Sequence, residues 1–299
     1  MTDKRAVFDF AIEFSNGGGI QGQDFRLDIV GENIDDEALA AHIIADLRLL
    51  MVGKVHILNK RIISEPHKRG AVVESEQAPD EDRFIDLSHS IEAGMITYKG
   101  LPAPIICDHL SREQSHHHYA PGTEFQIGRI DMGANTGTYL DTPYHRYAEG
   151  FDLSGLDLDT VANVPGVVVR VSGATTRPID WPAFAATDVR DKAVLVQTGW
   201  SRHWRTDHYF EGHPFLTEHA ALYLREQGAK LVGIDSLNID DTADGRRPVH
   251  TVLLAAGIPI VEHLTHLDQL PITGFVFSAV PPKIKQMGTF PVRAHARLR

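Results

Sequence analysis

Apolar and polar positions alternate along residues 6–14 (AVFDFAIEF), the period of a half-buried strand. SNGGGIQGQD (15–24) reads as a Gly/Asn loop and FRLDIV resumes the alternation, which predicts a hairpin with a long connection. Across residues 34–51 (IDDEALAAHIIADLRLLM), Leu39, His42, Ile43, Leu47 and Leu50 share one helical face, and acidic residues stand at its start. VHILNKRIIS reads as a further strand, so residues 1–65 form a small α+β unit of β-β-α-β order. Residues 66–83 are polar, proline-containing and without periodicity, as a linker would be.

From residue 84 to 299 the pattern changes. RFIDLSHSI, GVVVRVSG, KAVLVQTGW, AKLVGIDSL, IPIVEHL and TGFVFSAV are strand-like, and several are apolar almost throughout, as strands covered on both faces are. TEHAALYLREQG reads as a helix closed by Gly228, and HTVLLAAG as one ending at Gly257. Strands interspersed with helices predict an α/β core with a mixed sheet.

Composition narrows the function classes. A net charge of −11 argues against a nucleic-acid or anionic-membrane surface. No apolar run approaches the ~20 residues of a membrane span, and the N-terminus has no signal-like apolar region. The single Cys107 excludes an intrachain disulfide, which fits a reducing, cytoplasmic setting, and its apolar PIICD segment predicts buried packing. There is no G-x-S-x-G elbow, and no glycine-rich phosphate loop follows a strand.

The richest segment is ANTGTYLDTPYHRYAEG (134–150), where Asn135, Tyr139, Asp141 and His145 crowd a Gly/Thr/Pro-rich stretch. Gly137 permits a turn or a close approach, and Pro143 sets the chain direction before His145. The segment resembles the signature H-x-G-T-H-x-D-x-P-x-H of the cyclase family, which includes kynurenine formamidases and isatin hydrolase. Gly137, Thr138, Asp141, Pro143 and His145 match. Asn135 and Tyr139 stand where the family has histidine metal ligands. FIDLSHSIEAGMITYKG (84–100), VLVQTGW, LVGIDSLNID, HTVLLAAGIPIVEHLTHLDQLP (250–271) and the final FVFSAVPPKIKQMGTFPVRAHA resemble further landmarks in the right order, covering roughly residues 84–296. The N-terminal unit lies outside the resemblance.

That resemblance implies a cyclase-type α/β core and a hydrolase of a C–N bond in a small amide, N-formyl amine or cyclic amide. By it, Asp141, His250 and Glu262 are the remaining metal ligands, and His145 is the acid/base histidine. It also implies a homo-oligomer acting on a small molecule. Asp141, His250 and Glu262 just reach the three ligands of a catalytic zinc, and an oxygen-rich set suits Mn²⁺ or Mg²⁺ as well. A metal-free site is the other expectation. Asp141, Glu262, His145, His250 and Tyr139 then supply acid–base groups, with Asn135 beside them, for a metal-independent lyase, dehydratase or isomerase. A third reading is an inactive scaffold that only binds, against which the joint retention of Asp141, His145, His250 and Glu262 argues.

Single residues carry simpler readings. Asp141 alone would be a turn aspartate and His145 a surface histidine. Three adjacent histidines (His116–His118) cannot all chelate one ion on a strand. His263 and His266 read as helix-surface residues. Trp200, Trp204 and Phe125 are candidate walls for a planar substrate, with aromatic core as the alternative.

Overall fold

The alternation of residues 6–14 becomes strand β1 (Asp3–Phe14), whose Ala6, Phe8, Phe10 and Ile12 are buried. The computed structural model describes residues 3–298 apart from 16, 30, 48, 50, 66–82, 174 and 175. The predicted linker 66–83 therefore lies, except for Arg83, outside the described residues. The chain divides into two compact units, Met1–Glu76 and Gln77–Arg299.

In the first unit, β1 is the central strand of a three-stranded antiparallel sheet, between β2 (Gly19–Ile29) and β3 (Val52–Glu65). The predicted loop 15–24 is shorter than its composition suggests. Gly17 and Gly18 make the turn at φ 88° and 86°, and pairing resumes at Gly19. Gly22 lies opposite Phe10, whose ring occupies the space a Cβ would need. Helix α1 (Asp36–Asp46) is capped by Asp35, which accepts from Ala38 N at 2.7 Å, and it buries Leu39 and Ile43 completely. It ends five residues before the predicted 51, because Met51 must turn back (φ 58°) so that Val52 pairs with Phe14. Leu50 is outside the described residues.

The second unit opens with β4 (Phe84–Asp86), β5 (Ile105–Leu110), the single turn α2 (Arg112–Ser115) and β6 (Ile127–Asp131). β7 (Tyr139–Asp141), β8 (Val164–Arg170), β9 (Pro178–Ile179) and β10 (Ala193–Gln197) follow. Then come β11 (Phe215–Leu216), α3 (Glu218–Glu226), β12 (Leu231–Ile234), α4 (Pro248–Ala255) and β13 (Ile260–Glu262). β14 (Phe275–Ser278), β15 (Thr289–Pro291) and β16 (His295–Leu298) complete it. Nine strands form one mixed sheet in the order β15-β7-β13-β12-β10-β8-β14-β16-β4, with β13, β12, β10 and β8 parallel at its centre. This is the expected α/β class.

The near-continuous apolar strands are buried on both faces. Leu195 and Val168 point to one side, while Val194, Val196 and Val167 point to the other, where α3 and α4 cover them with Leu224 and Leu253. Truncating a fully buried leucine such as Leu195 to alanine costs about 2–5 kcal/mol. Gly228 (φ 80°) and Gly257 (φ 73°) end α3 and α4 in the left-handed conformation. No helix of the described residues is long and apolar enough to cross a membrane.

Two expectations fail here. Cys107 is exposed, because β5 and β6 form a separate two-stranded ribbon that neither face of the sheet covers. His263 is fully buried in the loop after β13 at φ 56°, bonded through Nδ1 to the Tyr209 hydroxyl at 2.8 Å. His266 is exposed and likewise in a loop, so neither sits on a helix surface.

Gly166 of β8 lies directly against the ring of its cross-strand partner Phe275, which is buried in the core. Gly166→Ala should overpack that contact and lower unfolding free energy by about 1–3 kcal/mol in denaturant titration. Gly245→Ala, with open space around it, should stay within about 0.5 kcal/mol.

Candidate active site

Strand register builds the site. Tyr139 and Asp141 are two residues apart on β7, so their side chains leave the same face of the sheet. β13 places Glu262 opposite Tyr139, and β15 places Thr289 opposite Asp141. Two cross-strand bonds follow: the Tyr139 hydroxyl donates to Glu262 Oε2, and the Thr289 hydroxyl donates to Asp141 Oδ1. Glu262 ends a central parallel strand, on the edge where open α/β sheets bind their ligands.

His250 enters from the first turn of α4. Asp240, in the loop after β12, accepts from Val249 N at 2.7 Å and His250 N at 3.1 Å, and its Oδ2 lies 2.6 Å from His250 Nδ1. One carboxylate thus caps the helix and fixes the ring. Nε2 is left facing the site, 3.7 Å from Asp141 Oδ2 and 3.8 Å from Glu262 Oε1. His145 follows β7 on a short 3-10 turn, with Nδ1 2.8 Å from the Thr289 hydroxyl. Because that hydroxyl donates to Asp141, it accepts from His145 Nδ1–H, which frees His145 Nε2 as an acceptor. Gly288 packs against the His145 backbone so closely that no side chain fits there.

Each buried carboxylate is compensated to a different degree. Glu262 accepts from Ile239 N at 2.6 Å, from Tyr139 and, at 3.3 Å, from Asn238. Asp240 has the two helix amides and His250. Asp141 is fully buried, and its Oδ2 has no hydrogen-bond partner. An uncompensated carboxylate oxygen facing an imidazole nitrogen is a donor set that fits a divalent cation. Donor atoms of Asp141, His145 and His250 lie within 4.8 Å of one another.

The electrostatics agree. Burial pushes Glu262 up to about 7, with Asp141's charge adding and His250, Tyr139 and Ile239 opposing. Burial works against charging His250, yet the Asp141 and Asp240 carboxylates, with Glu262, raise it to about 10. Burial and then Glu262's charge raise Tyr139 well above an ordinary phenol, so it stays neutral and donates. The cluster demands positive charge at His250 Nε2, and a bound cation there would displace a proton.

The family model described as "Putative cyclase" matches residues 85–241, more than half of the chain. The chain belongs to the Cyclase family, and it is an enzyme. It is 31% identical over 173 residues to a kynurenine formamidase of Geobacillus thermodenitrificans, covering 57% of this chain and 79% of that protein. A kynurenine formamidase of Bacillus cereus is 28% identical over 220 residues, covering 72% and 97%. Among solved structures, isatin hydrolase A from Labrenzia aggregata superposes with a TM-score of 0.62 at 23% identity, over 73% of this chain and 94% of that one. A potential metal-dependent hydrolase with cyclase activity gives 0.60 at 26%, over 73% and 99%.

Within this Cyclase-family core, Asn135, Tyr139, His145, His250 and Glu262 line one cavity of about 370 Å³, with Asp141 reaching toward it through Oδ2. Tyr139, at a signature histidine position, binds Glu262 directly and withholds one of its oxygens. His145 stands at the partly exposed side, its side chain 36% accessible. His116 bonds Glu124 at 2.9 Å on the surface, and none of His116–His118 lines the cavity. Trp200, Trp204 and Phe125 do not line it either; Trp204 stacks on His89 at 4.0 Å.

Sequence reasoning missed Asp240, Asn238, Tyr98 and Arg247. The Tyr98 hydroxyl donates to Leu237 O (2.7 Å) and accepts from Asn238 Nδ2 (2.6 Å), tying the loop before β5 to the loop after β12. The one available signal was Asp240 itself, a carboxylate at the end of LNID that could orient a ligand histidine.

Asp240→Asn should weaken Mn²⁺ binding by about 10–100-fold in calorimetric titration, since it orients rather than contacts the ion. Tyr139→His, which restores an imidazole at that position, should tighten it.

Proposed function

We propose that this enzyme hydrolyses a C–N bond of a small amide, N-formyl amine or cyclic amide, with one divalent ion held by Asp141, His250 and Glu262. The buried, unpartnered Asp141 Oδ2 facing His250 Nε2 carries the reading. The kynurenine formamidase and isatin hydrolase relatives support it. When bound, the ion supplies Lewis-acid polarisation and offsets the buried carboxylates.

The chain's own groups do the proton work. His145, held at Nδ1 by Thr289, takes a proton from the attacking water at Nε2 and returns it to the departing nitrogen. Its partial exposure lets that proton exchange with solvent. The Asn135 carboxamide offers a donor to the carbonyl oxygen from the cavity wall. Tyr139 keeps its proton on Glu262 and, 1% exposed, orients that carboxylate. This argues against the alternative in which Tyr139 protonates the substrate in an elimination or isomerisation.

Formanilide turnover tests the assignment. His145→Gln should lower kcat/KM by about 10²–10⁴-fold with the melting temperature unchanged. Undiminished turnover would remove His145 from the chemistry.

A further inference from the structure

We infer that Arg247 is the specificity-determining residue of this cavity and that the substrate carries a carboxylate for it to bind. The inference deepens the hydrolase reading and rests on it for the reaction alone. Three cations, Lys99, Arg146 and Arg247, line the cavity beside the buried carboxylate and imidazole cluster.

Arg247 is the best placed of the three. It is half-buried, and its one side-chain hydrogen bond runs from Nη1 to Asn238 Oδ1 at 3.1 Å. Among the described residues no carboxylate pairs with it, and the rest of its five-donor fork is free. Lys99 already approaches Glu211 at 3.8 Å, and Arg146 rests over the Tyr147 ring; both are exposed.

The backbone bears the same mark. Arg247 precedes α4 in the left-handed region, φ 50° and ψ 58°, and makes no side-chain cap. A non-glycine residue rarely adopts that conformation, and such strain gathers at ligand-binding positions. Its carbonyl accepts from Thr251 N as α4 begins, while Asp240 supplies the side-chain cap, so the Arg247 side chain is not used in capping.

The chemistry favours a carboxylate over a phosphate. The amides at the start of α4, which would cradle a phosphate, are taken by Asp240. What remains is a planar fork that matches a planar carboxylate.

Anthranilate and aniline differ by one carboxylate and contain no bond this enzyme would hydrolyse. Their affinities, read by ligand-observed NMR titration, test the inference without turnover. The wild type should bind anthranilate at least about tenfold tighter than aniline, roughly the value of one charge-assisted contact. Arg247→Gln should abolish the preference by weakening anthranilate alone, and Arg247→Lys should retain part of it. Three results would overturn the inference: no preference in the wild type, an Arg247→Gln variant that binds anthranilate as before or loses both ligands alike, or inorganic phosphate binding as tightly as anthranilate. Formanilide hydrolysis without an anthranilate preference would sink this inference alone. The preference without any hydrolysis would sink only the reaction.

Discussion

Three carboxylates, Asp141, Asp240 and Glu262, are buried around a single imidazole, and the rest of the site follows from how that charge is balanced. Burying an ionised carboxylate is costly unless donors or a counter-charge replace its water. Asp240 is answered by the α4 amides and His250, and Glu262 by the Ile239 amide, Tyr139 and Asn238. Asp141 has one hydroxyl on Oδ1 and no hydrogen-bond partner on Oδ2, which faces His250 Nε2 at 3.7 Å. The deficit is local, and it points at His250 Nε2. A cation at that point closes the account of charge.

One of the two departures from the family signature, Tyr139, fits this balance. A histidine at position 139 would bring a neutral ligand next to Glu262 and leave its Oε2 without the tyrosine hydroxyl, with Asn238 alone beside it. Tyrosine brings a proton donor, so one oxygen of Glu262 is occupied by the protein itself. This fits the proposed single ion on a scaffold whose signature carries more histidine ligands. The same register that pairs Tyr139 with Glu262 pairs Asp141 with Thr289, so the site is set by β7 lying between β13 and β15.

Much of this was readable from sequence because it is local. The signature resemblance singles out Tyr139, Asp141 and His145, and Glu262 announces itself by following the apolar IPIV; the Gly/Thr/Pro-rich segment itself reads as a turn, whereas residues 139–141 form strand β7. HTVLLAAG puts His250 at a helix start, and α4 holds it in its first turn. What could not be read depends on which loops meet in space. Asp240 and Asn238 reach the site because β12 and β13 are neighbours and parallel, and Tyr98 because its loop crosses over them. Cys107 was misjudged because an apolar strand reads as buried, while β5 pairs only with β6. The 15–24 loop is shorter than its glycines suggest because Gly22 sits within β2, where it makes room for the Phe10 ring.

The most direct test is the location of the ion itself, by anomalous diffraction from crystals grown with Mn²⁺. The account predicts one peak, bonded to Asp141, His250 and Glu262, with the Tyr139 hydroxyl still on Glu262 and His145 still on Thr289. Two peaks, a Tyr139 side chain displaced from Glu262, or no peak at saturating Mn²⁺ would contradict it.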